Sequence, residues 1–321
     1  MSYINRNNAS KKSCEVCFDK TYTTATKGDL SISVRCERCR IHCDVCLGDG
    51  VTFHKRGDGY QYVVDCPQCT NLEKRMKRFN EAKIPARYHT KDFGNFNVYA
   101  DEEMSTKVRS LDATRTSLHN YAMSFVPGDP GVLIGGRVGT GKTHLLVAFI
   151  RYLTLEKGIQ SRFIEFTHLL SDLREAYETR KNATDILNNL SCVPVLFIDV
   201  LGKGRNNDWE LSVIDELISK RYNSCLPTFF TTNYPLTRPK KPRRGLEPSV
   251  DTQSADFGRS LLKETLTDRV GQRIVSRITE MCDVVVMARD VPDFRERQRQ
   301  RRQEGQDRPG LEKRRTLTRP H

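Results

Sequence analysis

Residues 131–146 read GVLIGGRVGTGKTHLL, and no other stretch limits the possible folds as tightly. A short apolar strand at 132–134 runs into Gly136, Gly139, Gly141, Lys142 and Thr143, the spacing G-x-x-x-x-G-K-[ST], and a helical pattern follows. Glycines at these points let backbone N–H groups wrap a phosphate. The helix that follows aims its positive end at the same place. Gly136, Arg137, Val138, Gly139, Thr140, Gly141, Lys142, Thr143 and His144 therefore form the expected cradle for ATP. Lys142 is expected to reach the β- and γ-phosphate oxygens, and the Thr143 hydroxyl to hold Mg²⁺.

A phosphate loop of this kind needs a sheet behind it, and the rest of the chain supplies one. Strand patterns at 161–166, 193–198, 227–232 and 283–288 alternate with helical patterns at 167–180, 184–190, 208–223 and 261–280. With the strand before the loop, this predicts an α/β fold: a five-stranded parallel sheet flanked by helices, with nucleotide at the carboxyl ends of the strands. In VLFIDVLGKG (195–204) an apolar run ends on Asp199, the expected second magnesium ligand. Many P-loop ATPases place a second acid directly after it to align the attacking water; here the residue is Val200. Valine neither accepts a proton nor orients water, so slow hydrolysis is expected. Asp208 and Glu210 are the nearest following acids, and nothing in the sequence brings them to the phosphate.

The cysteines organise the other end of the chain. Of eleven, eight lie in the first 69 residues as C-x-x-C pairs: Cys14/Cys17, Cys36/Cys39, Cys43/Cys46 and Cys66/Cys69. The first unit reads CEVC…KGD…VRCERC and the second CDVC…RGD…VDCPQC, an internal duplication. Its inner spacings of 18 and 19 residues suit two zinc ions, each held by four thiolates. Units this short have too few large apolar groups to fold without metal. The duplication favours sequential pairing, although CDVCLGDG is also similar to the repeat of DnaJ-type chaperones, in which outer and inner pairs combine. Cys192, Cys225 and Cys282 read as small core hydrophobes, and His42 and His54 as bystanders. The segment FHKRGDGYQY (53–62) suits either single-stranded nucleic acid or an ordinary charged turn.

The formal charge of +13 favours a polyanionic partner. Two four-thiolate zinc sites would lower it to about +9, which is still basic. A proline-rich loop, RPKKPRRG (238–245), and the segment from Arg289 onward, with eleven Arg/Lys against six Asp/Glu, concentrate the positive charge. Phosphate contacts there would be sequence-independent and salt-dependent. No run of 18 apolar residues is present, which excludes a spanning helix. The opening MSYINRNNASKKS lacks a secretory core, so a cytoplasmic location without membrane contact is expected.

Several stretches together resemble the DnaC/DnaI/IstB group of AAA+ ATPases, especially bacterial replicative-helicase loaders. They are IPARYHTKDFGNF, GGRVGTGKTHLLVA, FIEFTHLLSDLREAY, FIDVLG…DWE, RYNSCLPTFFTTNYPL and RIVSRITEMC, spanning roughly 71–288. The resemblance implies a P-loop AAA+ core in which Lys142, Asp199, Asn233 and Arg277 serve catalysis. Asn233 would sense the γ-phosphate, and Arg277, with Arg273 as fallback, would be the finger reaching a neighbour's ATP. It also implies a homo-oligomer on ATP binding, with a replicative DNA helicase and single-stranded DNA as partners. An IstB-like transposition ATPase and a non-hydrolysing nucleotide-switched adaptor are the alternatives. The expected organisation is a double zinc-ribbon-like module at 1–70 and a basic linker helix and adaptor segment at 71–100. An ATPase domain at 101–290 without a helical lid follows, then a disordered basic tail at 291–321, helical at most at its start.

Overall fold

The computed structural model describes residues 14–38, 43, 45–46, 49–57, 59–96, 105–179, 183–205, 207–236, 264–288 and 293–303. Two antiparallel hairpins come first: β1 (Tyr22–Lys27) with β2 (Leu30–Arg35), and β3 (Val51–Lys55) with β4 (Gln61–Asp65). Helix α1 (Pro67–Glu81) follows, then α2 (Ser105–Ser124). The core proper runs β5 (Gly131–Gly135), α3 (Lys142–Arg151), β6 (Ser161–Glu165), α4 (Phe166–Glu178), α5 (Ala183–Cys192), β7 (Val195–Leu201), α6 (Asp208–Asn223) and β8 (Thr228–Thr232). It closes with α7 (Leu266–Val270), α8 (Gln272–Met281), β9 (Cys282–Val286) and α9 (Phe294–Gln303).

The sheet has the expected five parallel strands, and their order is β6-β7-β8-β5-β9. Its central strands GVLIG, VLFIDVL and TFFTT are almost wholly buried, because helices cover both faces and leave no solvent side for polar alternation. Side chains still alternate between faces. Val132, Ile134, Phe197 and Phe229 pack with α2 and α3, where Phe197 stacks on Phe229 with ring centroids 4.6 Å apart. Leu133, Leu196, Ile198 and Phe230 pack against the opposite layer of α4, α5, α6 and α8. Among the described residues no helix is long and apolar enough to cross a membrane.

The chain keeps its local promises at several ends. Asn207 caps α6 through Oδ1, which accepts the Glu210 N–H at 2.9 Å, and the helix opens with Asp208 and closes with Lys220 and Arg221. Two cysteines depart from expectation: Cys282 is buried, but Cys192 and Cys225 are exposed. Cys192 ends α5 and Cys225 sits in the turn before β8 with φ +50°, so both leave the core where their helices stop. The expected basic tail is helical over Phe294–Gln303; Asp293 Oδ1 accepts the Arg295 N–H at 2.8 Å, and the sequence that follows is rich in good helix formers. Residues 304–321, and the basic loop 238–245, lie outside the described residues.

The duplicated hairpins differ in their surroundings. The first docks on the core: Tyr22 donates to Glu156 Oε1 at 2.5 Å, Thr24 to the His89 carbonyl at 2.6 Å, and the Ser33 N–H to Asn80 Oδ1 at 2.7 Å. The second stays open, with Phe53, Tyr60, Val63 and Val64 all exposed.

Arg221 holds the deep side of the sheet. It is fully buried, and its guanidinium donates to Thr228 Oγ1 and to the carbonyls of Leu190, Val193 and Pro227, each at 2.8 Å. It thereby joins the end of α5 to the entries of β7 and β8. Burial pulls its pKa down to about 9. Replacing Arg221 by Met leaves several buried carbonyls without donors, so urea denaturation should show a loss of about 3–5 kcal/mol.

Candidate functional site

The phosphate loop leaves the carboxyl end of β5 and enters α3, with Gly141 as the helix N-cap at φ +91°. A side chain at Gly141 would meet strain from the backbone and collide with the Phe96 ring. Lys142 is buried and folded back on the loop, donating to the Gly136 carbonyl at 2.9 Å and the Arg137 carbonyl at 2.6 Å. Desolvation lowers its pKa to about 8. Thr140 Oγ1 also donates to the Arg137 carbonyl, at 2.9 Å, while Val138 is exposed at the loop tip. His144 Nε2 donates to the Asp92 carbonyl at 2.9 Å, and its ring meets Phe96 edge to face. The segment DFGNF thus straps the start of α3, a role that its irregular pattern gave no means of predicting.

Asp199 is the centre of the site. It is 3% exposed, and burial pushes its carboxyl above the usual carboxylate range. Hydroxyl donors offset part of this: Thr143 Oγ1 lies 3.0–3.1 Å from its two oxygens, and Thr231 Oγ1 donates at 2.5 Å. Thr231 Oγ1 in turn accepts the Val200 N–H at 2.8 Å. The pairing of β7 with β8 shifts between Ile198 and Leu201, so this hydroxyl bridges a β-bulge. Val200 has φ +56°, which costs a β-branched residue about 1–3 kcal/mol. A hydroxyl and a carboxylate side by side are hard oxygen donors of the kind Mg²⁺ takes, so Thr143 and Asp199 fit that ion.

The other expected residues are spread around this centre. Asn233 is exposed just past β8, beside Thr232, whose carbonyl accepts the Gly136 N–H at 3.2 Å. Arg277 is engaged within its own chain, donating to Asp215 Oδ1 at 2.8 Å and Ser219 Oγ at 2.6 Å. Its side chain is 20% exposed, against 73% for Arg273 on the same helix. Glu210 is buried and paired with Arg174 at 2.6 Å. Asp208 lies in the exposed first turn of α6.

Three contributors were not apparent from the sequence. Glu165, the last residue of β6, is the register partner of Asp199; only the strand order puts it there. Arg269 donates from Nε to the Gly202 carbonyl at 3.0 Å and from Nη2 to the Gly204 carbonyl, pinning the loop after Asp199. The foot of α9 seats on the phosphate loop, where the Phe294 N–H donates to the Gly139 carbonyl at 3.1 Å and the Asp293 carboxyl occupies the space that a Gly139 side chain would need.

The cysteines gather into two clusters. Cys43, Cys46, Cys66 and Cys69 bring their sulfurs within 4.8 Å of one another, and Cys14, Cys17 and Cys36 do the same. Cys39 and His42 lie outside the described residues. The grouping is the sequential one. Sulfurs of Cys43 and Cys66 are 3.6 Å apart, those of Cys46 and Cys69 3.7 Å, and those of Cys14 and Cys36 3.8 Å. Disulfides need about 2 Å; four thiolates at 2.3 Å around one ion would stand about 3.8 Å apart. The donor set therefore fits zinc. Burial and neighbouring thiols push Cys69 up to about 12. The cluster also opens α1, whose N-cap is Cys66, so the positive helix end favours negative charge at these sulfurs.

Fold and loop together define a P-loop nucleotide-binding protein. Residues 70–241 match the family model "IstB-like ATP binding protein", and the chain belongs to that family of AAA+ ATPases. It is 26% identical over 161 residues to the replicative helicase loader DnaC of Escherichia coli (strain K12), covering 50% of this chain and 62% of that protein. To the DnaC of Buchnera aphidicola subsp. Baizongia pistaciae (strain Bp) it is 30% identical over 166 residues, covering 51% and 64%. The match thus spans less than two thirds of either relative. A crystal structure of the DnaC helicase loader superposes with a TM-score of 0.47 at 28% identity, covering 63% of this chain and 99% of that one.

Thr231 is the support on which this geometry turns. Thr231→Val keeps the shape but leaves the Val200 N–H unpaired and Asp199 short of a donor. Denaturation midpoints should fall by the equivalent of about 1–3 kcal/mol.

Proposed function

We propose that this protein is an ATP-controlled loader of a replicative DNA helicase. The observation that carries the proposal is the nucleotide site assembled around Asp199 on a core whose sequence relatives are replicative helicase loaders. ATP would lie on the loop 136–144, with Lys142 turning from its two carbonyls to the phosphates. Thr143 and Asp199 would hold Mg²⁺, which neutralises phosphate charge when bound. Asn233, at the end of β8, would sense the γ-phosphate. Assembly into a homo-oligomer would bring an arginine finger to each site, and Arg273, the more exposed candidate, is better disposed for this than Arg277. With valine at position 200, hydrolysis is slow and nucleotide works mainly as a switch.

Two zinc ions would complete the N-terminal region, Cys39 being the fourth ligand of the first. The open second hairpin, with exposed Phe53, Tyr60 and Val63, is the surface offered to the helicase. Single-stranded DNA would meet the basic segments, including 238–245. Metal analysis should return two zinc ions per chain. Cys66→Ser should return one and make the second hairpin protease-sensitive, while the first, tied to the core through Tyr22 and Ser33, persists.

The decisive experiment is co-purification with the host's replicative helicase, with and without ATP. ATP-dependent capture is the expected result. The family description favours one competing reading, a transposition ATPase of IstB type. Capture of a transposase in place of the helicase would establish that reading and overturn the loader.

A further inference from the structure

An acid is missing at position 200, and the acids that follow it in sequence do not replace it. Glu210 is buried against Arg174, and Asp208 stands in an exposed helix turn. Glu165 is placed differently. It ends β6, the strand next to β7, and its Cα pairs in parallel register with that of Asp199. Side chains in register on neighbouring strands leave the sheet on the same face, roughly 4.8 Å apart. Glu165 therefore emerges beside Asp199, on the face where Asp199 meets Thr143. Its carboxylate bears electrostatically on both Asp199 and Tyr88. Its side chain is 27% exposed, open to water where Asp199 is closed. It is also oriented: Oε1 accepts from Thr167 Oγ1 at 3.0 Å and lies 3.8 Å from Lys203 Nζ.

We propose that Glu165, reaching across from the neighbouring strand, orients and deprotonates the attacking water in place of an acid at position 200. The water oxygen bonds to the γ-phosphorus as the bond to the β–γ bridging oxygen breaks. ADP leaves with that electron pair. Glu165 takes one proton from the water and passes it to solvent as phosphate departs. The inference rests on the ATPase reading above, and it makes the slow rate a consequence of an acid held one strand away.

The test measures mant-ATP binding and phosphate release on the full chain with single-stranded DNA present. Glu165→Gln should bind mant-ATP as the parent does and lose about 10²–10⁴ in rate. Adding Val200→Glu to Glu165→Gln should restore release, a rescue that a purely structural Glu165 would not permit. Unchanged hydrolysis in Glu165→Gln, or a loss that Val200→Glu does not rescue, overturns the proposal. A parent protein that binds mant-ATP but releases no phosphate also overturns it, while nucleotide binding stands. Failure to bind mant-ATP at all overturns the ATPase reading itself.

Discussion

A buried carboxylate is expensive unless its oxygens are spoken for, and the centre of this protein is arranged around meeting that requirement for Asp199. Thr143 comes from the helix after the phosphate loop and Thr231 from the adjacent strand, so the same bonds that satisfy the charge also tie β7, β8 and α3 together. The bulge at Val200 follows from this arrangement. To let one hydroxyl serve both the carboxylate and the next backbone N–H, the strand takes an extra residue in a left-handed conformation. Strain of this kind persists only where the surroundings over-determine it. Here they do so at the point where nucleotide chemistry is expected.

The two cysteine units show how similar sequences acquire different surroundings. Both bring sulfurs to separations suited to zinc, and both carry a short hairpin between their pairs. The first hairpin uses Tyr22, Thr24 and Ser33 to bond the core and becomes part of the body. The second keeps its aromatic and apolar side chains outside and is fused to α1 through Cys66 and Cys69. One unit is braced on the core and the other leaves its hairpin open to solvent.

Much was legible from local pattern. The glycine spacing with its flanking strand and helix announced the phosphate loop, because that residue order lets backbone amides converge on a phosphate. Long apolar runs such as VLFIDVL announced strands buried on both faces, and α6 begins and ends at 208 and 223, as its cap and charges require. Cys192 and Cys225 lie exposed and not in the core, because apolar neighbours in sequence say nothing about where a helix stops. A helix at the start of the basic tail agrees with α9, but its seat on the core, where Asp293 and Phe294 meet Gly139, leaves no trace in apolar periodicity.

Residue chemistry and spacing by themselves pointed to groups suited to phosphate, magnesium and zinc, because the glycine loop, the aspartate ending an apolar strand and the C-x-x-C pairs are each local patterns. Which groups act together was decided only by the tertiary structure. Glu165 and Asp199 are 34 positions apart in sequence yet meet because β6 pairs with β7. Arg277, which the family resemblance directs toward a neighbour's ATP, is bonded within its own chain to Asp215 and Ser219. The cysteine pairing, open among alternatives in the sequence, closes once each hairpin brings its own ends together. Strand order and hairpin register are long-range choices set by packing, and no local pattern encodes them.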